Sequence, residues 1–345
     1  MTNRSYRVVQ WATGNIGTRS LRAVIEHPDL ELVGLRVHSA DKAGKDAGEL
    51  AGIGAVGVKA TNSIDDIVAL RPDCVLYMQE GYDLDDVCRL LESGINIVST
   101  RSEFHNPGLI DPNLKARIEE ACRRGGASIH STGSSPGFIT EALPIVLTSI
   151  SRRLDCLTID EYADLSSRDS PNLLFNVMGF GSDPASFDQR RSEHIRLAFG
   201  PSLAVIADAM SVRYDSIQGT GEVAPARQDV TIAAGVIKAG TVGAQRMGVS
   251  LIRDGKPVMR FRANWYATRD VDADWDLRET GWRVLVEGDT PLDVSIRFPV
   301  APEDYAAFTP GLTAHRPVNA IPYVCEAPPG IRTTADLPQI IAKLG

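Results

Sequence analysis

Along the first third of the chain, apolar residues fall in short runs separated by amphipathic stretches. Arg7-Val8-Val9-Gln10-Trp11-Ala12 reads as a buried strand, Thr13-Gly14-Asn15-Ile16-Gly17 as a turn, and Thr18 to Glu26 as a helix with Leu21, Val24 and Ile25 on one side. His27-Pro28 ends that helix, because proline disfavours the helical conformation in the residue before it. The pattern predicts further strands at 30–37, 73–78, 96–100 and 127–131, with helices at 83–93 and 111–124. Such alternation predicts an α/β fold built on a Rossmann doubly wound parallel sheet.

After Pro136-Gly137 the pattern changes. A helical stretch around 183–211 gives way to long alternating runs at 230–238, 245–253, 258–268, 281–287 and 292–298, with Asp254-Gly255 and Gly288-Asp289 as turn signals. This predicts a second, α+β domain with a mainly antiparallel sheet. The tail reads as a helix at 313–322 followed by an ordered loop. The expected division is 1–137 for the first domain and 138–311 for the second, with 312–345 as the tail.

At 345 residues the chain exceeds the size at which one core keeps growing, which agrees with two domains. A net charge of −8, with no basic stripe, argues against nucleic acid as a partner. The five cysteines are widely spaced without a Cys-x-x-Cys pair, which points to free thiols in a reducing compartment and to no metal site. No apolar run approaches membrane-spanning length and the N-terminus runs straight into a strand, so a cytoplasmic protein without a membrane partner is expected.

Ala12-Thr13-Gly14-Asn15-Ile16-Gly17 fits the G-x-G-x-x-G pattern with alanine in the first position, between a strand and a helix. Gly14 lets the backbone approach a pyrophosphate, Gly17 lets the helix pack on the strand, and the N–H groups at the helix start face phosphate charge. Thr13, Gly14, Asn15, Ile16 and Gly17 are therefore cofactor candidates. The second strand ends Val37-His38-Ser39-Ala40-Asp41-Lys42 with no acidic residue at its tip. Ser39 and Lys42 suit a 2′-phosphate and His38 an adenine ring, which favours NADP, while Asp41 keeps NAD open. Ligands of open parallel sheets sit at the strands' carboxyl ends, which nominates Met78, Gln79, Thr100, Thr132 and Gly133.

Glu103, in the loop after the strand at 96–100, is the catalytic candidate: a carboxylate beside a hydride acceptor can bind an ammonium or water and move its proton, especially if burial raises its pKa. His105 is a weaker candidate for similar work. Tyr162, Phe175, Met178 and Phe180 are expected, with Phe138, to line a substrate pocket between the domains.

Together ATGNIG, STRSEFHNPG, TGSSPGF at 132–138, MGFG at 178–181 and RPVNAIPYVCEAPPGI resemble the dihydrodipicolinate-reductase-like oxidoreductases, and within them 2,4-diaminopentanoate dehydrogenase and the native amine dehydrogenases. The resemblance implies NADP- or NAD-dependent interconversion of an amine with a carbonyl compound and ammonia. It also implies Glu103 as the residue handling the amine nitrogen, Asn319 near the cofactor, Phe138 as a pocket aromatic, a tail at 312–345 that packs back on the dinucleotide-binding domain, and a homodimer formed through the substrate-binding second domain. Asp160 to Ser166 lacks the His-His-x-x-Lys motif of true dihydrodipicolinate reductases, and Ser135 stands where relatives often carry Asn. Two other readings remain at this stage: a reductase of a carbonyl or hydroxy compound without ammonia, and a cofactor-binding sensor without turnover.

Overall fold

The computed structural model describes residues 5–344. The chain divides into two compact units, 1–142 with 309–345, and 143–308.

The first unit opens with β1 (Tyr6–Trp11), α1 (Asn15–Glu26), β2 (Leu30–Arg36), α2 (Ala47–Ala51), β3 (Ala60–Thr61) and α3 (Ile64–Ala69). It continues through β4 (Cys74–Tyr77), α4 (Leu84–Glu92), β5 (Asn96–Ser99), a 3-10 turn at Ser102–Phe104, α5 (Pro112–Gly125) and β6 (Ser128–Ser131). The second unit holds α6 (Leu143–Thr148), β7 (Leu154–Asp164), α7 (Arg190–Ala209), β8 (Ser216–Pro225), β9 (Val230–Ile232) and β10 (Gly235–Ile237). β11 (Val242–Arg253), β12 (Lys256–Tyr266), β13 (Gly281–Gly288) and β14 (Leu292–Arg297) follow, and α8 (Tyr305–Glu326) leads back to β15 (Gly330–Arg332) in the first unit.

The first sheet has seven strands in the order β15-β6-β5-β4-β1-β2-β3, and every pairing in it is parallel. The order reverses at β1, as in doubly wound folds, so the carboxyl ends of β1 and β4 flank a crevice. Parallel sheets need cover on both faces. Val87, Leu90 and Leu91 of α4 and Ile118, Ala121 and Cys122 of α5 bury one face with Val9, Val75, Ile97 and Ile129. Val24 of α1 and Val318, Ile321 and Val324 of α8 bury the other with Val8, Leu76 and Val98. Each such aliphatic side chain contributes about 1.5–3 kcal/mol on burial. Ser128 Oγ donates to the Val324 carbonyl at 2.6 Å, which ties α8 to the sheet.

The second unit is a six-stranded sheet, β14-β13-β7-β12-β11-β8, with a separate β9-β10 hairpin. All its pairs are antiparallel except β7 with β12. Asp254 and Gly255 join β11 to β12 with φ values of 52° and 72°, the left-handed backbone that a two-residue hairpin turn requires. On one face Phe199 of α7 stacks on Phe261 at 4.1 Å.

The sequence pattern missed four kinds of element. β7 escaped it because Thr158 and Asp160 are buried polar residues inside the strand, with Asp160 taking a bidentate ion pair from Arg262 at 2.6 and 2.7 Å. β8 carries two glycines and exposed positions that break alternation. α2, β3 and α3 are too short for periodicity to register. The expected loop after α8 contains β15, three residues whose strand character comes only from pairing with β6.

Candidate functional site

The glycine turn is shaped from below. Ala12 sits at φ 74°, a left-handed conformation that is uncommon for alanine, and Gln10, fully buried, donates from Nε2 to the Ala12 carbonyl at 3.0 Å. Ser20 Oγ of α1 donates to Gln10 Oε1 at 2.8 Å and so connects the strand, the turn and the helix. A Cβ at Gly17 would lie 2.3 Å from the Ala12 carbonyl oxygen, whereas one at Gly14 would meet nothing within 4 Å. Glycine at 17 serves internal packing, and glycine at 14 keeps a surface clear for something that approaches it. No side chain caps the start of α1 and no acidic residue occupies its first turn, so the N–H groups around Asn15 and Ile16 remain suited to an anion.

One cavity of about 420 Å³ is lined by Ala12, Thr13, Gly14, His38, Ser39, Lys42, Met78, Gln79 and Glu80. It thus brings together seven of the sequence-nominated cofactor residues. Lys42 Nζ donates to Thr13 Oγ1 at 3.0 Å, which holds the cation at the glycine turn. Gln79 Oε1 accepts from Trp11 Nε1 at 2.8 Å, and Gln79 Nε2 donates to the Tyr77 hydroxyl at 2.7 Å. Asp41 is fully exposed, and a hydrogen bond from Ser39 is the largest influence holding its carboxyl below the usual range. A phosphate cradle, an open glycine face and a cation in one cavity fit a dinucleotide, and the residues present would hold its adenosine and pyrophosphate part.

Arg36 was not singled out from the sequence, yet it ends β2 beside this cavity. Its guanidinium lies 4.8 Å from the Trp11 ring centroid, its Nη1 is 2.7 Å from His38 Nδ1, and its buried Nε has no hydrogen-bond partner among the described residues. The signal was available, since a basic residue near this strand tip is a known answer to a 2′-phosphate.

Thr100, Thr132, Gly133, Phe138 and Asn319 do not line that cavity. Thr132 and Gly133 follow β6, where Thr132 N donates to the Ser99 carbonyl at 2.9 Å, so the ends of β5 and β6 are side by side. The loop turns through a cis Ser135-Pro136 bond and Gly137 at φ 125°. Ser134 Oγ meets Thr313 Oγ1 at 2.8 Å, Arg316 Nε donates to Thr132 Oγ1 at 3.2 Å, and the Arg316 guanidinium stands 5.6 Å over the Phe138 ring. Asn319 follows three residues later on α8, half-buried. Ser135 Oγ is buried without a hydrogen-bond partner among the described residues. It lies in the loop after Thr132 and Gly133, two of the strand-end residues nominated from the sequence.

Glu103 sits in the 3-10 turn after β5, part-buried, with Arg101 forked onto it at 2.6 and 3.2 Å. Burial pushes its carboxyl up, but hydrogen bonds from Arg101, the turn amide and Ser102 outweigh this and hold it below the usual range. The condition that burial raise this pKa is thus not met. The neighbouring Phe104 is fully buried and packs edge-on to Tyr82 at 5.2 Å.

Tyr162, Phe175, Met178 and Phe180 all lie in the second unit. Phe180, with Phe175 and Met178 against it, belongs to an apolar cluster around Leu174, Ile237 and Val242, whereas buried Tyr162 packs with Tyr266 and Val271. They form two groups in that unit's packing. No cluster of potential metal ligands occurs among the described residues, nor does any helix there have the length and apolarity to cross a membrane.

The model of the 2,4-diaminopentanoate dehydrogenase C-terminal domain matches residues 138–345, and that of the dihydrodipicolinate reductase N-terminus matches 8–98. The chain belongs to the 2,4-diaminopentanoate dehydrogenase family. It is accordingly an oxidoreductase, in a family whose named members act on CH–NH2 donors. An amine dehydrogenase of Streptomyces virginiae is 30% identical, covering 98% of both chains. The 2,4-diaminopentanoate dehydrogenase of Acetoanaerobium sticklandii is 25% identical over 85% of this chain and 79% of its own. Among solved structures, the amine dehydrogenase of Mycobacterium smegmatis shares the fold with a TM-score of 0.73 at 21% identity, covering 98% of this chain and 97% of that one.

Proposed function

We propose that this member of the 2,4-diaminopentanoate dehydrogenase family is an NADP-dependent amine dehydrogenase, interconverting an amine with a ketone or aldehyde plus ammonia. The observation that carries the reading is Glu103, a carboxylate in the turn after β5, forked by Arg101 and close to the 132–138 loop. A nicotinamide held there would supply the hydride to the substrate carbon, or accept it from that carbon. Glu103 accepts N–H bonds from ammonium or the substrate amine, orients that nitrogen at the carbon, and takes its proton when the neutral amine must act. Arg101 already neutralises Glu103 and must yield part of the fork for an ammonium to bind there. Phe138 supplies an apolar wall beside this nitrogen, and Asn319 and Thr100 are polar neighbours for the nicotinamide.

Lys42, Ser39 and Arg36 would bind the 2′-phosphate, which is the basis for NADP over NAD; Asp41 is engaged with Ser39 and so is poorly placed to take the ribose hydroxyls. A homodimer formed through the second unit's sheet, in a cytoplasmic setting, completes the proposal.

The test is a screen of ketones and aldehydes with NADPH, with and without ammonium. Ammonium-dependent NADPH loss, with amine detected as product, is the expected result. Equal rates without ammonium would make the protein a carbonyl reductase, and cofactor binding without turnover of any compound would make it a sensor.

A further inference from the structure

The turn that carries Glu103 is gripped from behind by two ionisable groups with almost no solvent. His105, two residues beyond Glu103, faces Glu141 with Nδ1 2.6 Å from Oε1, and both side chains are 1% exposed. The other oxygen of Glu141 accepts from the Thr334 hydroxyl. The contact therefore joins the turn after β5, the helical segment after β6 and the C-terminal segment after β15, which are remote in sequence.

A buried carboxylate–imidazole pair of this kind is a costly way to gain stability, since apolar side chains of similar volume usually do as well. It does fix geometry, because a short charge-assisted hydrogen bond tolerates little displacement. The rest of the turn is held close by. Ser131 Oγ donates to the Arg101 carbonyl at 2.6 Å, and Phe104 is sunk in the core on the side of α4 and α5. Glu103 lies between these anchors and its side chain is 35% exposed, so the direction in which it points depends on both.

We infer that His105 and Glu141, braced by Thr334, are positioning residues that hold the 102–105 turn so that Glu103 faces the reacting nitrogen. The inference rests on the role proposed for Glu103. His105 Nδ1 is committed to Glu141, and its buried Nε2 has no hydrogen-bond partner among the described residues.

The test compares three variants of the full-length protein: His105→Leu with Glu141→Met, His105→Asn, and Glu103→Gln. The double variant replaces the pair by apolar groups and should melt within a few degrees of the parent. With 2-hexanone, ammonium chloride and NADPH, its kcat is expected to fall at least roughly tenfold, since small misplacements of catalytic groups cost that much. KM for the ketone and Kd for NADPH should stay within about twofold, a split that general loss of structure would not produce. His105→Asn keeps an N–H donor where Nδ1 stood and should recover much of the lost kcat. Amides 101–106 should exchange hydrogen faster in the double variant and not in His105→Asn.

A folded double variant with parental kcat and parental exchange overturns the inference. Glu103→Gln reports on the reading beneath it: retained turnover there defeats the role of Glu103, while faster exchange in the double variant would still show the turn to be held by this pair.

Discussion

The glycine turn after β1 and the Glu103 turn after β5 occupy carboxyl ends of strands in the same parallel sheet, but they are held by different means. The glycine turn is set by local backbone geometry: Ala12 in the left-handed region, Gly17 packed against its carbonyl, and Gln10 and Ser20 bracing it from within eleven residues of sequence. The Glu103 turn is set by side chains from far along the chain, through His105, Glu141 and Thr334 on one side and Phe104 on the other. Binding a pyrophosphate needs a fixed row of N–H groups, which backbone supplies. Placing a carboxylate at a reacting nitrogen needs one side chain aimed well, which only tertiary packing supplies.

The strongest challenge to this contrast is Gly17→Ala. The new methyl would collide with the Ala12 carbonyl, so the turn must shift at a cost of about 1–3 kcal/mol, with NADPH affinity expected to fall by a factor of ten or more. Gly14→Ala is the control, expected to melt like the parent while still weakening NADPH, because its methyl meets no protein atom and can obstruct only the ligand. Thermal melts beside fluorescence titrations separate the two.

Lys42→Ala should weaken NADPH by about 1.5–3 kcal/mol, the range of a charged hydrogen bond, and leave NADH nearly unchanged. Equal losses for the two cofactors would place Lys42 on the pyrophosphate instead.

Arg101→Met bears on the other turn. Arg101 helps to hold the Glu103 carboxyl below its usual range, so its removal leaves burial as the larger influence and raises that pKa. A carboxylate that must be ionised is then lost earlier as pH falls, and the acid limb of kcat/KM should move to higher pH. A stationary limb would mean that Glu103 does not set it.

The smallest effect is expected for Ala12→Gly. Relief of the left-handed alanine, at about 1–2 kcal/mol, is partly offset by the extra chain entropy of glycine, at roughly 0.5–1 kcal/mol. A gain below about 1 kcal/mol in denaturant melts is expected.

The parallel sheet could be read from the sequence because each buried strand is a short apolar run, bounded by turns and followed by an amphipathic helix. β7 could not, because Thr158 and Asp160 are polar groups made tolerable inside only by their partners. Among the residues lining the cavity, those on the glycine turn and the strand tips followed from position alone. Arg36 did not: its place over Trp11 and against His38 depends on where β1 and β2 lie side by side.

By itself, then, the sequence determined the strand–turn–helix that opens the chain and the presence of a carboxylate after β5, because both depend on neighbours a few residues away. Only the tertiary structure decided that Arg101 holds the Glu103 carboxyl below its usual range, that His105 Nδ1 meets Glu141, and that Gly330–Arg332 becomes the edge strand on β6. Each of these depends on burial and on partners brought from elsewhere in the chain, and the free energy of a buried charge is set by what surrounds it rather than by its place in the sequence.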